Sequence, residues 1–404
     1  MKFLKDFSRP EKKWIKDIYR GILKSRDVKL SEIARSIKGD VRLIENRLSL
    51  NLQSKDISSY IYKSYLPYVK NKIKENTFIT LDLSDIYKKY AKSMEHLGEA
   101  WNGSEGKATT GYWLISLIAH NEEKENIIPL YKELYSQNSP DFESENAVIL
   151  NAIKTVKKGI GNKGIIMIDR GGDRKILFRK LVSQDKESSK FLIRMNSKKR
   201  HLQIGDKKLY PVEIFRIYKY KARFKKKKDG REETKTIRYA FRKVRIPEVD
   251  GDFTLIGIQV LGNEPLFLIT NVEVKDRKKA LWLIKGYLSR WIIEESFRWI
   301  KQSYNVEDIR VQKYQSLRNI ITILFLIFAF LTTHLLLNTR LKFLLFWTYK
   351  TSQRLRNDID FVLYALSRGV SDLFYKQIPT IWELDSPGKQ LRYLTLFDYA
   401  EKKS

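Results

Sequence analysis

Tyr287, Arg290, Glu294 and Lys301 stand at offsets of 0, 3, 7 and 14 within the stretch Tyr-Leu-Ser-Arg-Trp-Ile-Ile-Glu-Glu-Ser-Phe-Arg-Trp-Ile-Lys. On one continuous helix, at ~100° per residue, the four side chains would fall in a sector of roughly 60° and span about 21 Å. One carboxylate set among two cations and a phenol is a device for gripping a polyanion beside a metal ion. Ile293, Phe297 and Ile300 fall in a separate apolar sector that can pack on a sheet. A face that had only to be wetted would gain nothing from this grouping.

Metal-assisted phosphodiester chemistry needs more than one carboxylate, because two Mg²⁺ ions roughly 3.5–4 Å apart serve the attacking and leaving oxygens. Two short apolar runs rich in β-formers supply them: Thr77-Phe-Ile-Thr-Leu runs into Asp82, and Gly164-Ile-Ile-Met-Ile runs into Asp169. Asp82, Asp169 and Glu294 are therefore the candidate catalytic and metal-binding residues. Each has a rival. Asp85 is expected in the turn after the first strand, held less rigidly than Asp82. Asp173, beyond Gly171-Gly172, is expected to cap the next helix or to support Asp169 from behind. Glu295 is rotated by ~100° from the basic row. The chain has no cysteine, and its four histidines, His96, His120, His201 and His334, show no ligand-like spacing. The expected cofactor is Mg²⁺, or Mn²⁺ in its place, held by oxygen, two ions to a site.

Strands alternating with helices must carry these groups, so the fold class is α/β, with both aspartates at strand ends where ligands of such sheets gather. Residues 1–72 read as a helical DNA-binding region. Within it the segment from Val28 to Leu50 has helical spacing, with Ser31 as an N-cap and a break at Gly39-Asp40, as in a helix-turn-helix or an ordinary helical hairpin. Residues 73–185 form the first part of the core, with a strand at Gly111 to His120 and a helix at Asn146 to Lys157. Residues 186–275 form a β-rich insertion with runs at Phe191, Tyr210 to Tyr220, Thr236 to Ile246, Phe253 to Val260 and Pro265 to Asn271. Lys225 to Lys228 followed by Asp229-Gly230 marks a hairpin tip. Residues 276–335 complete the core with the Glu294 helix, and 336–404 form a helical C-terminal region suited to dimerisation, looped at Ala365 to Ser371 and near Pro379 and Pro387.

Lysine and arginine number 78 against 47 acids, a net charge of +31 over 404 residues, so a nucleic acid is the expected partner. Part of the lysine excess reflects a chain rich in Lys, Ile, Asn and Tyr. The run Ile320 to Leu337 reaches membrane-spanning length, but its basic flanks and lack of a second span favour a buried core helix and no membrane. The N-terminus lacks the apolar core of a signal peptide, so a cytoplasmic protein is expected.

Tyr287-x₂-Arg290-x₃-Glu294-x₆-Lys301 resembles the signature of bacterial insertion-sequence transposases of the DDE class, named for its Tyr, Arg, Glu and Lys. Leu81-Asp82-Leu-Ser-Asp-Ile is similar to the strand bearing that family's first aspartate, and Ile168-Asp169-Arg-Gly-Gly-Asp173 to that bearing the second. Phe191-Leu-Ile-Arg194 and Phe267-Leu-Ile-Thr-Asn271 match the strands that follow. The resemblance covers residues 25 to about 335 and implies an RNase H-like mixed sheet flanked by helices and interrupted by a mostly β insertion. The spacing agrees, because the 125 residues from Asp169 to Glu294 are too many for one crossover. It further implies excision of a DNA element at its terminal inverted repeats and joining of the 3′ ends to target DNA, by a homodimer assembled on two ends. Tyr287, Arg290 and Lys301 would then touch terminal phosphates, with Arg298, Arg194, Lys225, Lys226 and Lys227 as further DNA contacts. Gly172 departs from the resemblance, standing where many relatives carry an aromatic, and implies looser packing beside Asp169.

Three other readings remain open to the residues. One is a metal-dependent nuclease of the same fold that cuts without joining. Another is a catalytically silent DNA-binding protein descended from a transposase, which the intact acids disfavour. The third is a basic protein anchored in a membrane by the 320–337 run.

Overall fold

The computed structural model describes residues 2–88, 91–102, 106–122, 126–182, 188–215, 217–228, 231–260, 264–336 and 362–382. Four helices open the chain: α1 (Arg9–Ser25), α2 (Leu30–Arg35), α3 (Val41–Ser54) and α4 (Ser58–Val69). The first starts on a capping box, in which Ser8 N–H donates to Glu11 Oε2 at 2.7 Å and Glu11 N–H to Ser8 Oγ. Ser31 is not a cap. The second helix begins at Leu30 because Asp27 Oδ1 accepts from Lys29 N–H at 2.8 Å and turns the chain one step earlier. The break at Gly39-Asp40 is present: Gly39 has φ 132°, and Asp40 Oδ1 takes Leu43 N–H at 2.8 Å to start α3.

The sheet begins with β1 (Phe78–Tyr87), β2 (Gly98–Asn102), β3 (Lys107–His120) and β4 (Ile128–Tyr135), followed by α5 (Glu145–Ile160), β5 (Ile165–Ile168), α6 (Lys175–Val182) and β6 (Lys190–Met195). Strands β1, β3 and β4 are antiparallel neighbours, whereas β5 pairs parallel with β1 and β6 parallel with β5. The order β4-β3-β1-β5-β6, three antiparallel strands followed by two parallel ones joined through helices, is the RNase H-like arrangement. Two of these strands, β2 and β4, have no counterpart among the expected elements.

After β6 come β7 (Leu202–Ile204), β8 (Lys207–Leu209), α7 (Pro211–Ile214), β9 (Tyr220–Lys228), β10 (Arg231–Val244), β11 (Phe253–Val260) and β12 (Leu266–Thr270). Strand β12 pairs with β6, and β11, β10 and β9 follow as an antiparallel meander, so the later strands extend the core sheet to ten. Tyr210 to Tyr220 is not a β-run: Pro211 presets the first helical φ, and Glu213 Oε2 takes Tyr210 N–H at 2.7 Å, making a helical turn. The hairpin of β9 and β10 closes where Lys228 pairs with Arg231, while Asp229 and Gly230 lie outside the described residues.

The chain returns through α8 (Arg277–Leu288), α9 (Trp291–Tyr304) and α10 (Tyr314–Ala329), which continues as a π-helix over Phe330–Leu336. The segment Tyr314–Leu336 is long and apolar enough to cross a membrane, yet 83% of its apolar window is buried inside the fold. Asn319, fully buried on it, donates to Leu52 O and Lys55 O at 2.8 Å and accepts from Ile57 N–H at 3.1 Å. That one amide satisfies the end of α3 and the start of α4, locking the N-terminal helices to the core. Ala365 to Ser371 is helical, within α11 (Leu363–Trp382), because Leu363, Ala365, Leu366 and Val370 are buried at helical spacing. Residues 337–361 and 383–404, with Pro387, lie outside the described residues.

Candidate active site

Asp82 does not end its strand. It sits in the middle of β1, opposite Ser116 of β3, because the antiparallel pairing runs on to Tyr87. Asp85 is accordingly on the same strand and not in a turn. Asp82 Oδ1 accepts from Leu83 N–H at 2.9 Å, and Oδ2 from Arg290 Nη1 at 2.8 Å. Burial pushes its carboxyl up to about 6; Arg290 pulls the other way, while Asp169 and Glu294 add to the rise.

Asp169 follows β5, the parallel neighbour of β1, and caps the turn Arg170–Gly172 by accepting Gly171 N–H at 2.7 Å. A Cβ on Gly171 would sit 2.9 Å from its Oδ1, and one on Gly172 only 2.8 Å from Ile168 Cβ and 3.1 Å from Ile193 Cγ2. Packing beside Asp169 is therefore tight, not loose, and it excludes any larger residue at 172. Asp173 is buried and taken: Arg200 Nε donates to it at 2.9 Å and Asn196 N–H at 3.2 Å. It braces the loop behind Asp169.

The four-residue row is not on one helix. Helix α8 stops at Leu288 and α9 starts at Trp291, with a tight turn between in which Arg290 N–H reaches Tyr287 O, Ile292 N–H reaches Ser289 O and Ile293 N–H reaches Arg290 O. The cause is Ser289, whose Oγ donates to Gly286 O at 2.7 Å and lies 3.3 Å from His120 Nδ1. A serine hydroxyl bonded back to the preceding turn bends a helix. The other side of the His120 ring meets Thr80 Oγ1 at 2.6 Å, two residues before Asp82, so a buried polar chain ties the bend to the strand that carries Asp82. Gly286 allows the approach, since its Cβ would fall 2.1 Å from the Phe78 ring. Sequence reasoning missed Ser289, His120 and Thr80; the serine beside Arg290 was the available signal.

The bend redistributes the row. Tyr287 turns inward, buried beside Arg194 of β6, and burial raises its hydroxyl pKa. Arg290 stands 5.9 Å from the Tyr287 ring and donates to Glu294 Oε1 at 2.5 Å as well as to Asp82. Lys301 is 3.6 Å from Asp85 and 3.1 Å from Glu307. Glu295 faces elsewhere, pairing with Trp291 and Arg298, and Arg298 is half exposed on the outer side of α9. Lys225, Lys226 and Lys227 belong to β9, the far edge of the sheet from the acids, and their side chains lie outside the described residues. On that strand pair Lys221 and Arg238 are exposed and directly opposite each other, a like-charge pairing that favours a polyanion over the surface.

Asp82, Asp169 and Glu294 are thus electrostatically coupled from three elements, and Arg290 bridges two of them. Among the described residues no three acids or histidines close into a ready-made cation cage. The donor set still fits a hard divalent ion: carboxylate oxygens only, with one half-buried acid, Asp82, that desolvation and then the negative charge of Asp169 and Glu294 make harder to ionise.

A model of the transposase DDE domain matches residues 94–330, a span that includes Asp169, Tyr287, Arg290, Glu294 and Lys301 and begins after Asp82. No curated protein matches the sequence. Among solved structures, the piggyBac transposase synaptic complex with hairpin DNA is similar at 12% identity and a TM-score of 0.45, covering 99% of this chain and 82% of that one.

Proposed function

Since the chain belongs to the transposase DDE domain family, we propose that it is a DNA transposase that cuts an element at its terminal inverted repeats and joins the 3′ ends to target DNA. The observation that carries this reading is the meeting of Asp82 and Glu294, from opposite ends of the core, on one guanidinium. Asp82, Asp169 and Glu294 would hold two Mg²⁺ or Mn²⁺ ions, which supply an activated attacking oxygen and a stabilised leaving oxygen.

The chain's own residues do the rest. The β1 backbone holds Asp82 rigidly, and Gly171 N–H aims Asp169. Arg290, planar and fork-shaped, is suited to a scissile-strand phosphate, and the Tyr287 hydroxyl beside Arg194 to a neighbouring one. Lys301 extends the grip along α9, and the Lys221 and Arg238 face offers a second track for duplex DNA. A homodimer would hold two ends together, acting on the chromosome in the cytoplasm.

The test uses duplexes copied from the DNA flanking the gene, with cleavage and joining scored separately. Asp82→Asn, Asp169→Asn and Glu294→Gln should each abolish Mg²⁺-dependent cleavage and leave DNA binding in place. Retained cleavage removes that residue from the triad, and cleavage without joining in the wild type makes the protein a nuclease.

A further inference from the structure

Lys88, the first residue after β1, is a charged side chain that is only 7% exposed. Its backbone is pinned to β3: Lys88 N–H donates to Thr110 O at 2.6 Å, and Thr110 Oγ1 donates to Lys88 O at 3.0 Å. The side chain crosses to the turn Val306–Asp308, which follows α9. There its ammonium donates to Glu307 O and, at 2.7 Å, to Ile309 O. The N-terminal helices grip the same turn from outside, where Asn305 Nδ2 donates to Asp27 Oδ2 at 3.0 Å and Lys29 Nζ to Asp308 Oδ2 at 3.3 Å.

Among the described residues, three cations thus tie α9 and its turn to β1 and its end. Arg290 joins Asp82 to Glu294, Lys301 lies 3.6 Å from Asp85, and Lys88 holds the turn. The first two ties rest on carboxylates or on side chains suited to phosphate, so metal and DNA would both disturb them. The Lys88 tie ends on two backbone carbonyls, which neither would claim. It also carries a cost. Burial lowers the Lys88 pKa to about 8, while Asp308 and Glu307 draw it up and Arg310 presses it down. An apolar side chain would avoid that desolvation but could not hold two carbonyls, so what the ammonium adds is direction.

We propose that Lys88 is a positioning residue of the candidate site: by anchoring the far end of α9 to the end of β1, it sets the distance between Glu294 and Asp82 once Arg290 has released them. The helix has 14 residues, about 21 Å, and is hinged at its start by the Ser289 bend. A slip of about 2 Å at the far end would move Glu294 by about half an ångström, which is the tolerance of such a site. The inference rests on the proposed function and adds what keeps the acids in register while their own contacts change.

The experiment measures Mn²⁺ affinity of the DNA-free full chain by electron spin resonance, with melting temperature and duplex cleavage alongside. Lys88→Met should weaken Mn²⁺ binding by about tenfold with little change in melting temperature. Lys88→Arg, which keeps a charged donor for both carbonyls, should recover most of the loss. Lys29→Ala, which frees the same turn from the N-terminal helices only, should leave the affinity unchanged. If Lys88→Met does not fold, Lys88→Gln, with one neutral donor, takes its place and should lose about threefold. Wild-type affinity in the Met or Gln variant overturns the assignment and leaves the transposase reading standing. Equal loss in Lys29→Ala, or no recovery in Lys88→Arg, also overturns it, since any disturbance near the turn would then have the same effect. A wild type that neither binds Mn²⁺ nor cuts duplex overturns both.

Discussion

Arg290 holds Asp82 at 2.8 Å and Glu294 at 2.5 Å, joining α9 to a strand residue 208 positions earlier in the sequence. A guanidinium there neutralises two carboxylates that would otherwise repel, in the place where a divalent cation would do the same. On the proposed function, protein arginine and metal ion would compete for the same oxygens.

Replacing Arg290 by Ala should tighten Mn²⁺ binding to the DNA-free protein by about tenfold or more, read by calorimetry or electron spin resonance. It should also lower the melting temperature without metal and recover it with Mn²⁺, since two unpaired carboxylates lose their counterion. Unaltered Mn²⁺ affinity would show that Arg290 does not stand in for the ion.

Lys132 predicts a pH dependence of stability. Its ammonium lies fully buried on β4, without a hydrogen-bond partner among the described residues, 4.3 Å from the Phe297 ring, and burial lowers its pKa from 10.5 to about 7. Between those values the unfolded chain binds a proton that the folded one does not, so stability falls as pH drops from 10.5 towards 7 and levels off below. Lys132→Met should flatten that slope and stabilise the protein at pH 7 by a few kcal/mol, roughly. A slope that persists in the variant would place its origin in another group.

Gly286 and Phe78 are in contact across α8 and β1. Gly286→Ala should destabilise by about 1–3 kcal/mol through overpacking. Phe78→Leu in the same molecule should recover part of the loss, a coupling measurable by a double-mutant cycle in urea. Simple additivity of the two changes would mean that the helix shifts as a body.

The Ser289 and His120 pair sets the bend that delivers Arg290. Ser289→Ala or His120→Phe should cost about 1–3 kcal/mol for a lost buried hydrogen bond. Either should also depress cleavage far more than end binding. Equal losses in both would reduce the pair to a general structural role.

Lys301→Ala should lower the salt dependence of DNA binding by up to about one phosphate contact. An unchanged slope would confine Lys301 to strutting α9 against Asp85 and Glu307.

The residues proposed for the site are marked by local patterns, so the proposal could be made from the sequence. Asp82 and Asp169 announce themselves by the apolar β-runs that carry them, and Glu294 by its place among cations; helical and strand periodicities located most of the core. Charge alone pointed to a polyanion. Tertiary structure decided what depends on neighbours remote in the chain. Ser289 looks like any exposed helical serine until His120 and Thr80 arrive to hold it, and only then does the predicted single helix break in two. Asp82 looks terminal until β3 continues the pairing past it. Gly172 looks like a gap until Ile168 and Ile193 close over the space. The apolar run after Arg318 carries the same hydropathy whether lipid or protein surrounds it, and only the packed helices show which one does. In each case a local pattern states what a residue can do, whereas the packing of distant segments fixes which of its alternatives has the lower free energy.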